Sequence, residues 1–215
     1  YLLIENKLYF NEIPKFTDDL DSIKYKLKRL LGKYYYTIGI DIIAPTFPFN
    51  FKKSIAQFIG FSDDKIIVDV GCGDRKICQE IIGVDIFPYA SADIICDLSS
   101  LPFKNQSIDA FVSRSVLEHV SQLNNVICEF DRCSKPDAKM LHVIPFLYPY
   151  HASPNDFQRL THSGAITLFK NWSLIKQTNI TGPITLLLLI IIEFTSILFS
   201  FGNKRLQSAI YLFCC

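Results

Sequence analysis

An apolar run at residues 66–70 breaks directly into Gly71-Cys72-Gly73-Asp74, and this junction limits the folds open to the chain more than any other feature. A run of β-branched residues that ends on paired glycines predicts a strand followed by a tight turn, with room for a ligand to approach the backbone. Four further apolar runs follow, at residues 81–86, 92–96, 108–113 and 139–145, each a few residues long and bounded by polar turns. Strands buried on both faces of a parallel sheet have this form. Between the last two runs, Leu123, Val126, Ile127 and Phe130 recur at helical spacing. Strand, helix and strand in alternation predict an α/β fold with crossover connections. In such a sheet a nucleotide-like ligand sits at the carboxyl end of the first strand.

The 215 residues suffice for one domain of ordinary size, and 49% hydrophobic against 20% charged residues supplies a packed core. A net charge of +1, from 22 basic and 21 acidic residues, argues against a protein that depends on gripping nucleic-acid backbone, so no nucleic-acid partner is expected. The seven cysteines include no Cys-x-x-Cys pair, and most lie in apolar runs. They read as reduced core thiols in a cytoplasmic protein, with no metal site. The chain opens on Tyr1 and closes on Cys214-Cys215, which reads as a piece of a longer protein.

Ahead of the first strand, residues 1–61 form a separate N-terminal segment. Its first fifteen residues alternate apolar and polar, as a short strand or an extended lead-in would. Thr17 can cap a helix that runs to Gly32, with Leu20, Ile23, Leu27, Leu30 and Leu31 on one face. Lys24, Lys26, Lys28, Arg29 and Lys33 lie off that face. A solvated surface explains them, and so does contact with anionic lipid or an acceptor phosphate. Residues 34–49, rich in aromatics and prolines, read as a covering loop, and residues 50–60 as a second helix.

Carboxylates follow the later strands at telling places. Asp85 ends the second run, where an acid can accept hydrogen bonds from both hydroxyls of a ribose. Asp97-Leu98 follows the third, where the acid can meet an adenine amino group while the leucine covers the ring. The ordered set GCG, VDI, DLSSLPF, SIDAFVS, LEHV and SKPDAKM resembles the type-11 group of class I S-adenosylmethionine-dependent methyltransferases, over roughly residues 62–180. The resemblance implies a Rossmann-like, doubly wound, mostly parallel sheet, S-adenosylmethionine as cofactor, and methyl transfer. By position, Asp69, Gly71 and Gly73 would lie along the methionine portion. Asp85 would take the ribose, Asp97 and Leu98 the adenine, and Ser113 and Arg114 would flank the sulfonium.

The pattern departs from that group at Arg75, where a third glycine is usual, and in the short interval from Gly73 to Gly83, which predicts a loop with a short helix. These departures motivate an alternative, a catalytically inert methyltransferase-like binding module associated with a membrane. A dinucleotide-dependent oxidoreductase fits less well, because Lys76 stands where its third glycine would be. The opening residues also look like the tail of a zinc-ribbon module of the kind that precedes some related methyltransferases.

Two regions bear on the acceptor. After the fifth strand, the sequence from Pro149 to Thr161 resembles a Pro-x-His-x-x-Pro-x-Asp-x-x-Arg-x-Thr segment of type-11 relatives found with glycan- and lipid-modifying genes. It offers His151 as a general base for an acceptor hydroxyl, or an Asp156–Arg159 ion pair that staples the loop. The acceptor expected is a small molecule, a lipid-linked intermediate or a glycan. The Glu118-His119 pair reads as a structural turn with a local hydrogen bond. Residues 183–215 form the last segment: 184–201 carry a single charge, Glu193, and predict an apolar helix, with a second short helix over 206–213. An intramembrane acid at mid-helix disfavours spanning, so the segment reads as a monotopic or peripheral anchor.

Overall fold

A computed structural model describes residues 2–4, 7–11, 50–148, 150–151, 155–180, 183–203 and 206–207. The helix expected over 17–32, the covering loop at 34–49 and most of the helix expected over 206–213 lie outside the described residues. The chain divides into two compact units. The first holds Tyr1–Phe16, Asn50–Phe146 and Ala152–Leu174; the second holds Thr17–Phe49, Leu147–His151 and Ile175–Cys215. Residues 50–61, grouped by sequence with the N-terminal segment, therefore belong to the unit that contains the sheet.

That sheet has seven strands among the described residues: β1 (Leu2–Ile4), β2 (Lys7–Tyr9), β3 (Ile67–Val70), β4 (Ile82–Asp85), β5 (Ile94–Ile95), β6 (Ile108–Arg114) and β7 (Ser134–Val143). Their order is β1-β2-β5-β4-β3-β6-β7. Only β1 and β2 pair antiparallel; every other neighbour is parallel. The strand order reverses between the adjacent strands β3 and β6, as the doubly wound reading requires.

Both faces of the sheet are covered, which explains the unbroken apolar runs. Helix α1 (Phe51–Phe58) buries Phe51 and Ile55 with Ile67, Ala110 and Val112 on one face. The Asn50 side chain caps it, accepting from the Lys53 amide at 2.8 Å. Helix α2 (Leu123–Cys133) packs Leu123, Val126, Ile127 and Phe130 with Val68, Val70, Val84 and Phe111 on the other. Alternate residues of β3 and β6 thus feed opposite layers, the two-residue repeat of a strand. Five cysteines in the described residues are free, four of them buried. Burial pushes the Cys78 and Cys96 thiols up to about 11 and about 12, so they sit in the core protonated.

Three elements depart from the sequence reading. The lead-in is a hairpin: β2 extends the sheet beyond β5, and the Lys7 ammonium donates to the carbonyls of Ala92 at 2.7 Å, Ala90 at 3.2 Å and Tyr89. β7 starts at Ser134, five residues before the apolar run, because Lys135 at its polar opening pairs with Asp109 of β6 at 2.8 Å. The interval between β3 and β4 contains turns and no helix, since residues 71–81 are too few for a helix with a turn at each end. Side chains hold that loop instead. Asp69 Oδ2 accepts from the Ile77 amide at 2.9 Å, and Lys76 meets Asp93 at 2.5 Å.

After β7 the described residues continue as helices α3 (His162–Leu168) and α4 (Pro183–Ser200). The Trp172 indole donates to Asp131 of α2 at 2.6 Å, and Asn171 donates to the same carboxylate at 2.7 Å.

Two positions in this fold give measurable consequences. A Cβ on Gly83 would stand 2.6 Å from the Ser91 carbonyl oxygen, so Gly83→Ala should cost about 2 kcal/mol in urea unfolding. The His142 ring stacks between Phe130 and Phe169 and bonds Ser113 Oγ through Nδ1 at 2.8 Å, while its buried Nε2 has no hydrogen-bond partner among the described residues. Burial lowers its pKa from 6.5 to about 4. The unfolded chain therefore takes up a proton first as pH falls, and stability is lost from about pH 6.5 down to about pH 4, by at most about 3 kcal/mol. Stability measured across that range should fall less steeply in His142→Gln.

Candidate functional site

The turn after β3 is built from two left-handed glycines, Gly71 at φ +67° and Gly73 at φ +62°. The Gly71 and Cys72 amides both donate to the Val84 carbonyl, at 2.8 and 3.1 Å, which folds the chain back across the end of β4. A Cβ on Gly71 would lie 2.5 Å from both methyls of Val116, so only glycine fits there. Ser115, at φ +53° just beyond β6, makes the turn that leads into Val116. A Cβ on Gly73 would meet nothing within 4 Å among the described residues. Gly73 therefore borders open space, while Gly71 is packed from behind.

Asp85 ties this turn to β4. Its Oδ2 accepts from the Gly73 amide at 2.9 Å and its Oδ1 from the Phe87 amide at 2.9 Å. Ser91 Oγ donates to the Gly73 carbonyl at 2.6 Å, so the peptide groups on both sides of Gly73 are held. A carboxylate offers about four acceptor sites, and two backbone bonds fix its orientation without exhausting it.

Asp97 stands two residues beyond Ile95, which pairs in register with Asp85. Its Oδ1 takes the Ser99 amide at 2.8 Å and the Ser99 hydroxyl at 2.7 Å, an Asx turn. Leu98 is buried in the core cluster with Leu101. Arg132 and Glu129 on α2 clamp the rest of this loop. The guanidinium donates to the Leu101 and Phe103 carbonyls at 2.9 and 2.8 Å, and Glu129 accepts the Leu101 amide at 2.8 Å. Neither α2 residue was visible as part of the site in the sequence, because each lies about thirty positions from the loop it holds. Asp93 and Ser91 were missed for a related reason: they act through backbone groups of Gly83 and Gly73.

At the centre of the sheet, Asp69 pairs in register with Gly83 on one side and Val112 on the other. Its side chain is buried, and desolvation pushes its pKa up to about 7 against the pull of the Ile77 amide and Arg114. Ser113 is fully buried and engaged with His142, and Arg114 is exposed. His119 makes a hydrogen bond that is not local. Its Nδ1 lies 2.6 Å from the Asn155 carbonyl, which makes Nδ1 the protonated nitrogen. The Phe157 amide donates to the Glu118 carbonyl at 2.9 Å, and Gln158 donates to the carbonyls of Leu117 and Val120 at 3.1 Å each. These bonds strap residues 155–158 over the short 3₁₀ turn Leu117–His119 at the carboxyl end of β6. Arg159 pairs with Asp156, at 2.6 Å through Nη2, and forms the staple anticipated for this loop. His151 belongs to the second unit, where its ring meets Tyr148 edge-on at 4.7 Å.

The carboxyl ends of β3, β4, β5 and β6 thus bring Asp69, Gly71, Gly73, Asp85, Asp97 and Ser113 to one end of one sheet. Open space over Gly73 beside an anchored carboxylate suits a hydroxyl-bearing ligand that must approach the backbone closely. Residues 68–142 match the model of a family described as a methyltransferase domain. Over this segment the chain is similar to a methyltransferase domain, in line with the resemblance that its motifs carry. The segment contains Asp69, both glycines, Asp85, Asp97, Leu98, Ser113 and Arg114.

Two solved structures share the fold at a TM-score above 0.5. Phosphoethanolamine N-methyltransferase 2 of Haemonchus contortus, bound to phosphomonomethylethanolamine and S-adenosylhomocysteine, aligns with a TM-score of 0.57 at 15% identity, over 91% of this chain and 53% of its own. The [4+2]-cyclase SpnF aligns with a TM-score of 0.52 at 15% identity, over 75% of this chain and 74% of its own. The YcgJ protein of Bacillus subtilis is 19% identical over 41% of this chain, with a TM-score of 0.36, and the match spans 48% of YcgJ, about half its length. No curated protein matches the sequence.

The Asp69 carboxyl gives a test of this geometry. The unfolded carboxyl ionises near 3.8 and the folded one near 7, so the folded state loses stability as pH rises through that interval. Asp69→Asn keeps an acceptor for the Ile77 amide and removes that loss. Its melting temperature should exceed that of the parent at pH 8, by an amount worth at most about 4 kcal/mol, and the difference should vanish near pH 4.

Proposed function

We propose that the chain transfers a methyl group from S-adenosylmethionine to a small-molecule, lipid-linked or glycan acceptor. The observation that carries this reading is the Asp85 carboxylate hydrogen-bonded into a glycine turn that faces open space, within the segment similar to a methyltransferase domain. When bound, S-adenosylmethionine supplies a methyl group already activated by a sulfonium. The protein's task is to orient the two reactants and keep water out.

Each residue has a definite part in this reading. Asp85 accepts the ribose hydroxyls on the side of its carboxylate turned from the Gly73 and Phe87 amides. Asp97, held by its Asx turn, receives the adenine amino group, with Leu98 beneath the ring. Gly71 and Gly73 let the methionine portion lie against the backbone. Asp69, about half ionised near pH 7, lies along the methionine portion, and Arg114 flanks the sulfonium side. Ser113, bonded to His142, shapes the wall on the sulfonium side. His151 is the proposed proton acceptor for a hydroxyl acceptor, since imidazole is the side chain best matched to that task near pH 7.

The fold alone does not supply this conclusion, because a similar fold serves a cyclase in SpnF. The experiment is calorimetric titration with S-adenosylmethionine and S-adenosylhomocysteine. Binding by the parent chain is expected, with affinity at least tenfold weaker in Asp85→Ala, about 1.4 kcal/mol or more, and unchanged in His151→Ala. No heat at millimolar ligand would replace the enzyme with the inert binding module.

A further inference from the structure

We propose that helix α4 rests lengthwise on an anionic phospholipid surface. The exposed stripe of the helix is Leu187, Ile191, Phe194 and Leu198, each about half exposed or more, and Phe201 beyond its end is 89% exposed. Its buried stripe, Leu189, Ile192, Ser196 and Ser200, contains the helix's two most buried hydroxyls. At about 100° per residue the two stripes lie on opposite sides. A helix at a protein–water boundary places its apolar stripe inward and its polar groups outward; α4 buries two serines beside Leu189 and Ile192 and leaves a continuous apolar stripe exposed.

The hydroxyls follow the same logic. Ser196 Oγ donates to the Glu193 carbonyl at 2.7 Å, Ser200 Oγ to Ile197 at 2.7 Å and Thr195 Oγ1 to Ile192 at 2.8 Å. Each is satisfied within the helix and asks nothing of solvent, as a helix in contact with hydrocarbon requires. The 18 residues of α4 reach about 27 Å, short of the roughly 30 Å of a bilayer's hydrocarbon core. No helix among the described residues is long and apolar enough to cross a membrane. An apolar face too short to span, with Glu193 half-buried on its flank, suits an orientation in the membrane plane.

Charge selects the lipid. The second unit carries eight Lys and Arg residues against five Asp and Glu, although the whole chain is balanced to +1. Lys204 and Arg205 directly follow the apolar stretch in sequence. Basic residues beside an apolar helix face strengthen binding to anionic lipid.

The test is flotation of the full chain with phosphatidylcholine vesicles containing about one-third phosphatidylglycerol, compared with phosphatidylcholine alone. The parent chain should float with the mixed vesicles and at least several-fold less with the neutral ones. Leu187→Glu with Phe194→Glu should lower partitioning about tenfold or more, with the melting temperature little changed because both side chains are exposed. A second variant, Phe194→Trp, keeps the face apolar and should be quenched by brominated phosphatidylglycerol vesicles beyond the quenching of Trp172 in the parent. Failure of the parent chain to float, equal flotation with neutral vesicles, an unquenched tryptophan at position 194, or undiminished flotation of the double variant would each overturn the proposal. So would a parent dimer in solution that the double variant splits, since a second copy would then be the cover for this face.

Discussion

The acceptance of the Gly73 amide by the Asp85 carboxylate fixes the geometry on which the candidate site depends. It joins the turn after β3 to the end of its neighbour at 2.9 Å. In many α/β sheets a crossover helix docks this turn against the sheet. Here residues 71–81 contain no helix, and electrostatics takes over the task. Asp69 holds the Ile77 amide, Asp93 holds both Lys76 and the Gly83 amide, and Ser91 holds the Gly73 carbonyl. Hydrogen bonds to charged acceptors are stronger than neutral ones, and several converge on this one loop. The site is thus pinned by carboxylates where hydrophobic helix packing is missing.

The same pattern recurs around the rest of the site. The loop after β5 is held by Arg132 and Glu129, and the segment beyond β7 by His119 and Gln158. In each case a side chain on one element captures backbone groups of another. The proposed methyl transfer would need orientation more than acid–base chemistry, because its donor arrives activated. A ring of strapped loops at the carboxyl edge of a rigid parallel sheet meets that need. The sheet is rigid because both faces are packed, with α1 on one side and α2 on the other.

The second unit follows a different physical logic. In the sheet, burial follows apolarity residue by residue, and the alternation of β3 and β6 feeds two cores. In α4 Ser196 and Ser200 are buried beside Leu189 and Ile192, while Leu187, Ile191, Phe194 and Leu198 are exposed, so burial there does not follow apolarity.

Much of the fold was legible in the sequence because parallel strands buried on both faces leave uninterrupted apolar runs, and the glycine turn marks where the first of them ends. The runs located β3, β4, β5 and β6, and the 3.6-residue period located α2. Asp69, Gly71, Gly73, Asp85 and Asp97 could be chosen as site residues because position at a strand's carboxyl end is a local property. The start of β7 was hidden, because its first residues are polar and become strand only by pairing with β6 and with Asp109. The N-terminal alternation allowed a short strand, but that it forms two paired strands, the second docked on β5 through Lys7, is a tertiary outcome. Tertiary structure alone decided that Leu98 enters the core, that Ser113 answers to His142, and that Arg132 guards a loop thirty residues away. Sequence determines what each residue can bond or bury, whereas the choice among partners is made only when distant segments compete for the same carbonyl, amide or void.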